Sequence, residues 1–193
     1  MFSVAIDGLA GCGKSSLAQN LAKNLGFRYF NTGAMYRGIT CEYIRIFGET
    51  KPNDDKISNL LKNLKVKILF EGENQKVVVN GIDQTPFLRK EVVSNTTPLV
   101  SGYEVLRDKV RAIQREFAKE YNCVMEGRDI GSVVLKNADV KIYLTATSME
   151  RAKRRFLQME NDPARPALQE ILKKKEKRDS IDKTREHGKL LVS

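Results

Sequence analysis

Phe2-Ser-Val-Ala-Ile-Asp7 runs directly into Gly8-Leu9-Ala10-Gly11-Cys12-Gly13-Lys14-Ser15-Ser16. The first part is an apolar run of strand length. Leu17, Leu21 and Leu25 then recur every four residues up to Gly26, the spacing of a helix closed by a glycine. Strand, glycine-rich turn and helix therefore succeed one another without a spacer, and the turn fits G-x-x-x-x-G-K-[ST] in the setting that motif requires. Its glycines let consecutive backbone N–H groups converge on phosphate oxygens, a charge the helix dipole also favours. Lys14 supplies a point charge for the outer phosphates, and Ser15 a hydroxyl for Mg²⁺. Residues 8–16 are thus the expected cradle for a nucleotide's phosphates.

Outward from this unit the chain keeps alternating. Phe27 to Phe30 reads as a second strand, Thr32-Gly-Ala-Met-Tyr-Arg37 opens another helix, and residues 57–64 continue as helix. From Lys65 to Asn80 the apolar period drops to two around Glu71-Gly-Glu-Asn-Gln75, which predicts an antiparallel hairpin inserted into a strand and helix chain. Pro86 and Pro98 punctuate the stretch after the hairpin. Leu106, Val110, Ile113 and Phe117 have helical spacing, while Cys123-Val-Met125 and Val140-Lys-Ile-Tyr-Leu144 are compact strands of the parallel-sheet kind. Thr147-x-x-Glu150 is a capping box for a helix carrying Arg151, Arg154 and Arg155, broken at residues 161–166 before a last charged helix. This alternation predicts an α/β fold with a parallel sheet.

The 193 residues correspond to one domain with a small insert. Cys12, Cys41 and Cys123 are too few and too scattered for a disulfide framework or a Cys-rich zinc site, and point to a reducing compartment. The first residues have neither a basic region nor an apolar stretch of signal-peptide length, and no later run approaches the roughly 20 apolar residues of a membrane helix. The expectation is a soluble cytoplasmic monomer. His187 is the only histidine, which argues against a His-based metal site or a Ser-His triad. The net charge is +10, and residues 151–193 hold 13 Lys+Arg against 7 Asp+Glu. Without aromatic interleaving that excess reads as a solvated helix face and not as a nucleic-acid surface. Lys173 to Lys175 are assigned to the surface, and for Arg151 a solvated reading weighs at least as much as a functional one.

Further motifs narrow the chemistry: Asn31-Thr-Gly-Ala-Met-Tyr-Arg37, Glu126-Gly-Arg-Asp-Ile-Gly131, the arginines at 151–155, and Arg178-Asp179…Asp182…Arg185. With the phosphate loop, this set resembles the bacterial cytidylate (CMP) kinases, a branch of the nucleoside monophosphate kinases. The resemblance covers nearly the whole chain. It implies a P-loop NTPase three-layer α/β fold with a parallel sheet, a lid segment near 151–178 and a small antiparallel β insert near 63–95 on the monophosphate side. It also implies ATP as donor, Mg²⁺, and CMP or dCMP as acceptor.

The resemblance implies roles position by position. Thr32 and Arg37 would bind the CMP phosphate. Arg107, with a hydroxyl of Thr96 or Thr97, would meet the cytosine. Asp129 would accept from its amino group, and Arg128 would lie beside the transferring phosphate. Asp182 and Arg185 would contact ribose and phosphate. Arg154, Arg155 and Arg178 would surround the γ-phosphate, and Glu126 would organise water around Mg²⁺. Two features depart from the family pattern. Asn31 stands where an Asp is usual, and the chain stops at Ser193, before the family's last strand and helix, which leaves four parallel strands. Two rivals remain at this stage: a kinase of the same fold with UMP or a small metabolite as acceptor, and a nucleotide-dependent nucleic-acid-binding module. Either kinase reading places Lys14 in the phosphate cradle and outside the core. Lys14→Ala should therefore lose about a hundredfold or more in turnover, measured by coupled ADP release, with its circular dichroism spectrum unchanged.

Overall fold

The computed structural model describes residues 1–72, 74–160, 165–184 and 190. Four strands build the main sheet: β1 (Ser3–Gly8), β2 (Arg28–Asn31), β6 (Cys123–Gly127) and β7 (Val140–Leu144). They are all parallel, in the order β2-β6-β1-β7. Between β1 and β2 lies α1 (Lys14–Leu25), and β2 runs into α2 (Thr32–Phe47) without a break. Then come α3 (Asp54–Lys62), a second sheet of β3 (Val66–Glu71), β4 (Asn74–Val79) and β5 (Ile82–Asp83), and the helices α4 (Glu91–Val100) and α5 (Glu104–Glu120). After β7 the chain forms α6 (Ser148–Gln158) and α7 (Leu168–Thr184).

Alternation along the strands makes the main sheet the middle of three layers. Ala5, Phe30, Cys123 and Met125 face Met35, Ile39, Leu106, Val110 and Phe117 of α2 and α5. Val4, Ile6, Tyr29 and Val124 face Ala18 and Ala22 of α1 on the other side. Both faces of the parallel sheet are thus covered, which is why its strands are apolar at successive positions.

The second sheet is antiparallel and sits on α2. Gly38 of that helix lets β4 approach so closely that a Cβ there would lie well inside the van der Waals radius of Val77 Cγ1. Deeper along α2, the fully buried carboxylate of Glu42 accepts from Arg45 (2.7 and 2.8 Å), from Asn80 at the end of β4 (2.8 Å) and from Gln84 (3.4 Å). The Arg45 guanidinium, more than any other neighbour, holds the Glu42 carboxyl below the usual carboxylate range. At the near end the Gln75 amide grips the backbone of Asn31, accepting from its N–H at 2.7 Å and donating to its carbonyl at 3.2 Å.

The structure departs from the sequence reading at three places. The buried side of α1 is Lys14, Ala18 and Ala22, one residue on from the leucine stripe, and Leu17 and Leu25 are exposed. Small side chains win because the helix packs close to the sheet. The hairpin gains a third strand, β5, of only two residues, too short to show a period. Pro98 does not interrupt α4 but lies in its last turn, two residues before the end. Of the expected break at 161–166, residues 161–164 lie outside the described residues.

Gly38→Ala forces Val77 and the second sheet away from α2. Its helix-propensity gain of about 1 kcal/mol is outweighed by overpacking of about 1 to 3 kcal/mol. Calorimetry should show a melting temperature lower by several degrees, largely restored by adding Val77→Ala.

Candidate active site

The last residues of β2 and β6 and the loop that follows β1 open on one cleft of about 200 Å³, at the carboxyl edge where parallel sheets bind ligands. Its alignment starts from Asp7. This buried carboxylate, immediately before the phosphate loop, accepts from the backbone N–H groups of Ile130 (2.8 Å) and Gly131 (2.7 Å). The loop after β1 is thereby registered against the Gly127-Arg-Asp-Ile130 turn after β6. Burial pushes the Asp7 carboxyl up, against the downward pull of the two N–H groups.

The phosphate loop is shaped by packing as well as by turn chemistry. A Cβ on Gly8 would collide with the Leu144 carbonyl oxygen on β7. Gly13, with φ of +105°, precedes α1 without a side-chain cap, so the first amides of the helix are left for a ligand. Ala10, Gly11, Lys14 and Ser15 line the cleft; Gly8, Leu9, Cys12, Gly13 and Ser16 do not. Lys14 is 6% exposed, and its ammonium donates to the Leu9 carbonyl at 2.8 Å across the mouth of the loop. Burial, and after it the charge on Arg128, lowers its pKa to about 8.

One phenol joins the hydroxyl expected to ligate a metal and the carboxylate expected to organise the water around it. Tyr29 donates to Glu126 Oε1 at 2.6 Å, is hydrogen-bonded to Ser15, and accepts from Asn31 Nδ2 at 3.0 Å. A hydroxyl and a carboxylate side by side at the phosphate loop fit Mg²⁺, which is held by few protein oxygens and shares the rest of its shell with water and phosphate. Asn31 meanwhile caps α2, accepting from the Ala34 N–H at 2.8 Å. Its amide thus serves the cap and the phenol together, without a charge.

At the far end of the cleft, Arg107 and Asp129 form a buried ion pair at 2.7 Å, with Arg111 adding 3.5 Å to the same oxygen. The Arg107 guanidinium lies 5.3 Å from the centre of the Tyr36 ring, and its Nε has no partner among the described residues. Thr97, not Thr96, lines the cleft, although both hydroxyls donate back to carbonyls of α4. Between the two ends stand Thr32, whose hydroxyl donates to the Glu126 carbonyl at 2.7 Å, and Arg37. Burial, then Arg128, draws the Arg37 pKa down against the opposing pull of Glu126, as expected where cations outnumber anions.

The last two helices close the cleft from the side. Arg128 donates to Asp182 at 2.8 Å, and Arg178 lines the cleft beside it. Arg154 reaches the Cys12 carbonyl at 3.3 Å from outside the cleft, and Arg155 is exposed. Arg185 and His187 lie outside the described residues.

Two expectations are corrected. Arg151 is not solvated: it is 2% exposed, donates to Asp179 through both terminal nitrogens (3.0 and 2.5 Å), and reaches the carbonyls of Ala146 (3.0 Å) and Ala10 (3.2 Å). Lys175 is not a surface lysine like Lys173 and Lys174, because its ammonium lies over Gly11 of the phosphate loop. Asp7, Tyr29, Arg111 and Gln75 were not anticipated at all. Only Asp7 carried a signal, an acidic residue closing an otherwise apolar strand.

A family model described as cytidylate kinase matches residues 4–193. The cytidylate kinase of Halalkalibacterium halodurans is 39% identical over 189 residues, 97% of this chain and 84% of its own length. That of Caldicellulosiruptor saccharolyticus is 40% identical over 192 residues, 99% of this chain and 84% of its own. That of a Geobacillus species is 43% identical over 187 residues, 95% of this chain and 81% of its own.

Because Arg151 neutralises Asp179 out of water, Arg151→Met leaves a buried carboxylate without its partner and should cost about 3 to 5 kcal/mol. Urea unfolding should show that loss, and Arg151→Met combined with Asp179→Leu should recover most of it.

Proposed function

Since the chain belongs to the cytidylate kinase family, we propose that it transfers the γ-phosphoryl group of ATP to CMP or dCMP, giving ADP and CDP or dCDP. The observation that carries this reading is the juxtaposition, in one cleft, of a phosphate loop at one end and the buried Arg107–Asp129 pair at the other, with Arg37 between them. That spacing suits two ligands meeting phosphate to phosphate.

An oxygen of the CMP phosphate, already ionised at neutral pH, attacks the γ-phosphorus. The bond to the β,γ-bridging oxygen breaks and ADP takes the electron pair. No side chain needs to remove a proton, so the work of the protein is alignment and charge neutralisation. Thr32 and Arg37 hold the acceptor phosphate, while Lys14, Arg128 and Arg178 surround the transferring group. Arg154 and Arg155 approach from a lid spanning about 151–178, and a phosphate contact is assigned to Arg185 on the family resemblance alone. Asp182 holds Arg128 and meets the ribose. Ser15 would hold Mg²⁺, an ion that would supply charge neutralisation to the donor's phosphates, and Glu126 would organise its water. Asp129 accepts from the cytosine amino group, with Arg107 and Thr97 on the other base atoms. The insert of about 63–95 serves the acceptor, through Gln75 and the start of α2.

The reading includes a monomer acting in the cytoplasm, supported by three buried free thiols at Cys12, Cys41 and Cys123. Among the described residues no helix is long and apolar enough to cross a membrane.

ADP release measured over CMP, dCMP, UMP and AMP, with and without RNA, tests the proposal. Turnover with CMP and dCMP should exceed that with UMP by well over tenfold and ignore RNA. Activity confined to another acceptor, or dependent on RNA, would exclude it. Asp129→Asn should lower the CMP to UMP ratio of kcat/KM by at least about tenfold, because a site built around that hydrogen bond penalises the base that lacks it.

A further inference from the structure

The inner face of α7 carries Ile171, Lys175, Arg178, Asp179 and Asp182, positions spaced three and four apart and so aligned on one side of the helix. Ile171 is buried and packs this face down. Asp179 and Asp182 are each closed by an arginine from another element, Arg151 of α6 and Arg128 of the turn after β6. These pairs fix the rotation of α7 about its axis. Lys175, one turn before Asp179, is thereby directed at the phosphate loop: its Nζ lies 2.9 Å from where a Cβ would stand on Gly11.

Nothing structural explains a half-buried ammonium at this point. Arg151, Arg155 and Arg178 all repel it, and Asp179, the carboxylate prominent among the charges acting on it, already gives both oxygens to Arg151. Burial first, then Arg151 and Arg178, pulls the Lys175 pKa down to about 8. A cation kept in such company is stabilised only when an anion enters among the group, and Gly11 lines the cleft at its phosphate-loop end.

We infer that Lys175 is a further phosphate-binding residue on the donor side, clasping the polyphosphate of ATP against the loop from α7 while Lys14 holds it from α1. The inference rests on the proposed function only in taking ATP as the donor. Lysine suits the position because a compact ammonium on a flexible stem can track a phosphate over a short range, where the flat Arg151 guanidinium beside it is committed to Asp179.

Calorimetric titrations of ATP and of CMP, each alone, into the full chain and into Lys175→Met and Lys175→Arg variants decide the matter. Lys175→Met should bind ATP about tenfold more weakly, the loss expected for one charged hydrogen bond. Its CMP affinity should stay within twofold and its melting temperature within about two degrees, and Lys175→Arg should keep most of the ATP affinity. Unchanged ATP binding in Lys175→Met overturns the inference. So does an equal loss of ATP and CMP, which marks a structural role, and so does an arginine variant as weak as the methionine one. Turnover of the parent with CMP is read separately. A parent that binds ATP but phosphorylates no monophosphate defeats the proposed reaction while leaving the titrations to judge Lys175.

Discussion

The geometry of the cleft depends on one buried carboxylate. Asp7 is the penultimate residue of β1, so its backbone is fixed by β6 on one side and β7 on the other, while its side chain takes the N–H groups of Ile130 and Gly131. The loop that cradles phosphate and the turn that presents Arg128 and Asp129 are distant in sequence, with Ile130 lying 123 positions after Asp7, and this contact sets one against the other. Because the donors are backbone amides, the registration does not depend on which side chains the turn carries. The same two N–H bonds offset part of the cost of burying the charge.

From that fixed point the rest of the cleft is assembled by ion pairs that cross between elements. Arg107–Asp129 ties α5 to the turn after β6, Arg128–Asp182 ties the same turn to α7, and Arg151–Asp179 ties α6 to α7 and, through the Ala10 carbonyl, to the phosphate loop. Each pair is largely desolvated, so its contribution lies less in net stability than in permitting one arrangement of its two elements. Lys14, Arg37 and Arg178 line one common volume, and Lys175 stands over Gly11 at its phosphate-loop end. A positive field in a cleft of low dielectric is what a pair of nucleotides, each bringing several negative charges, requires.

The strand, phosphate loop and helix were legible because each leaves a mark in consecutive residues, as were the hairpin period and the Gly127-Arg-Asp129 turn at the end of a strand. What was not legible depended on which face of an element meets which neighbour. Arg151 and Lys175 lie in stretches as charged as any solvated helix, and only the rotation of α6 and α7 about their axes separates them from Arg155 and Lys174. The buried side of α1 was misplaced by one residue because close packing on a flat sheet prefers Ala18 and Ala22 to the larger leucines beside them. Strand β5 is too short for any period. The Asn31 substitution was visible, but its compensation was not, since the Tyr29 hydroxyl that accepts from its amide reaches it from two residues back along the strand, a contact set by side-chain direction and not by any motif.

The grip of Gln75 on Asn31 has a consequence beyond the positioning of α2. Strand β2 is one of the two edge strands of the main sheet, and an edge strand presents unpaired amides and carbonyls on which another chain can nucleate. A side-chain amide has the donor and acceptor of a peptide group in the same plane, so Gln75 acts there as a single residue of a strand that is not present. It ends the ladder at the rim nearest the cleft without extending the sheet, and so takes the pairing groups of Asn31 away from any second chain. The contact that holds the insert in place is thus also a cap on the edge of the main sheet.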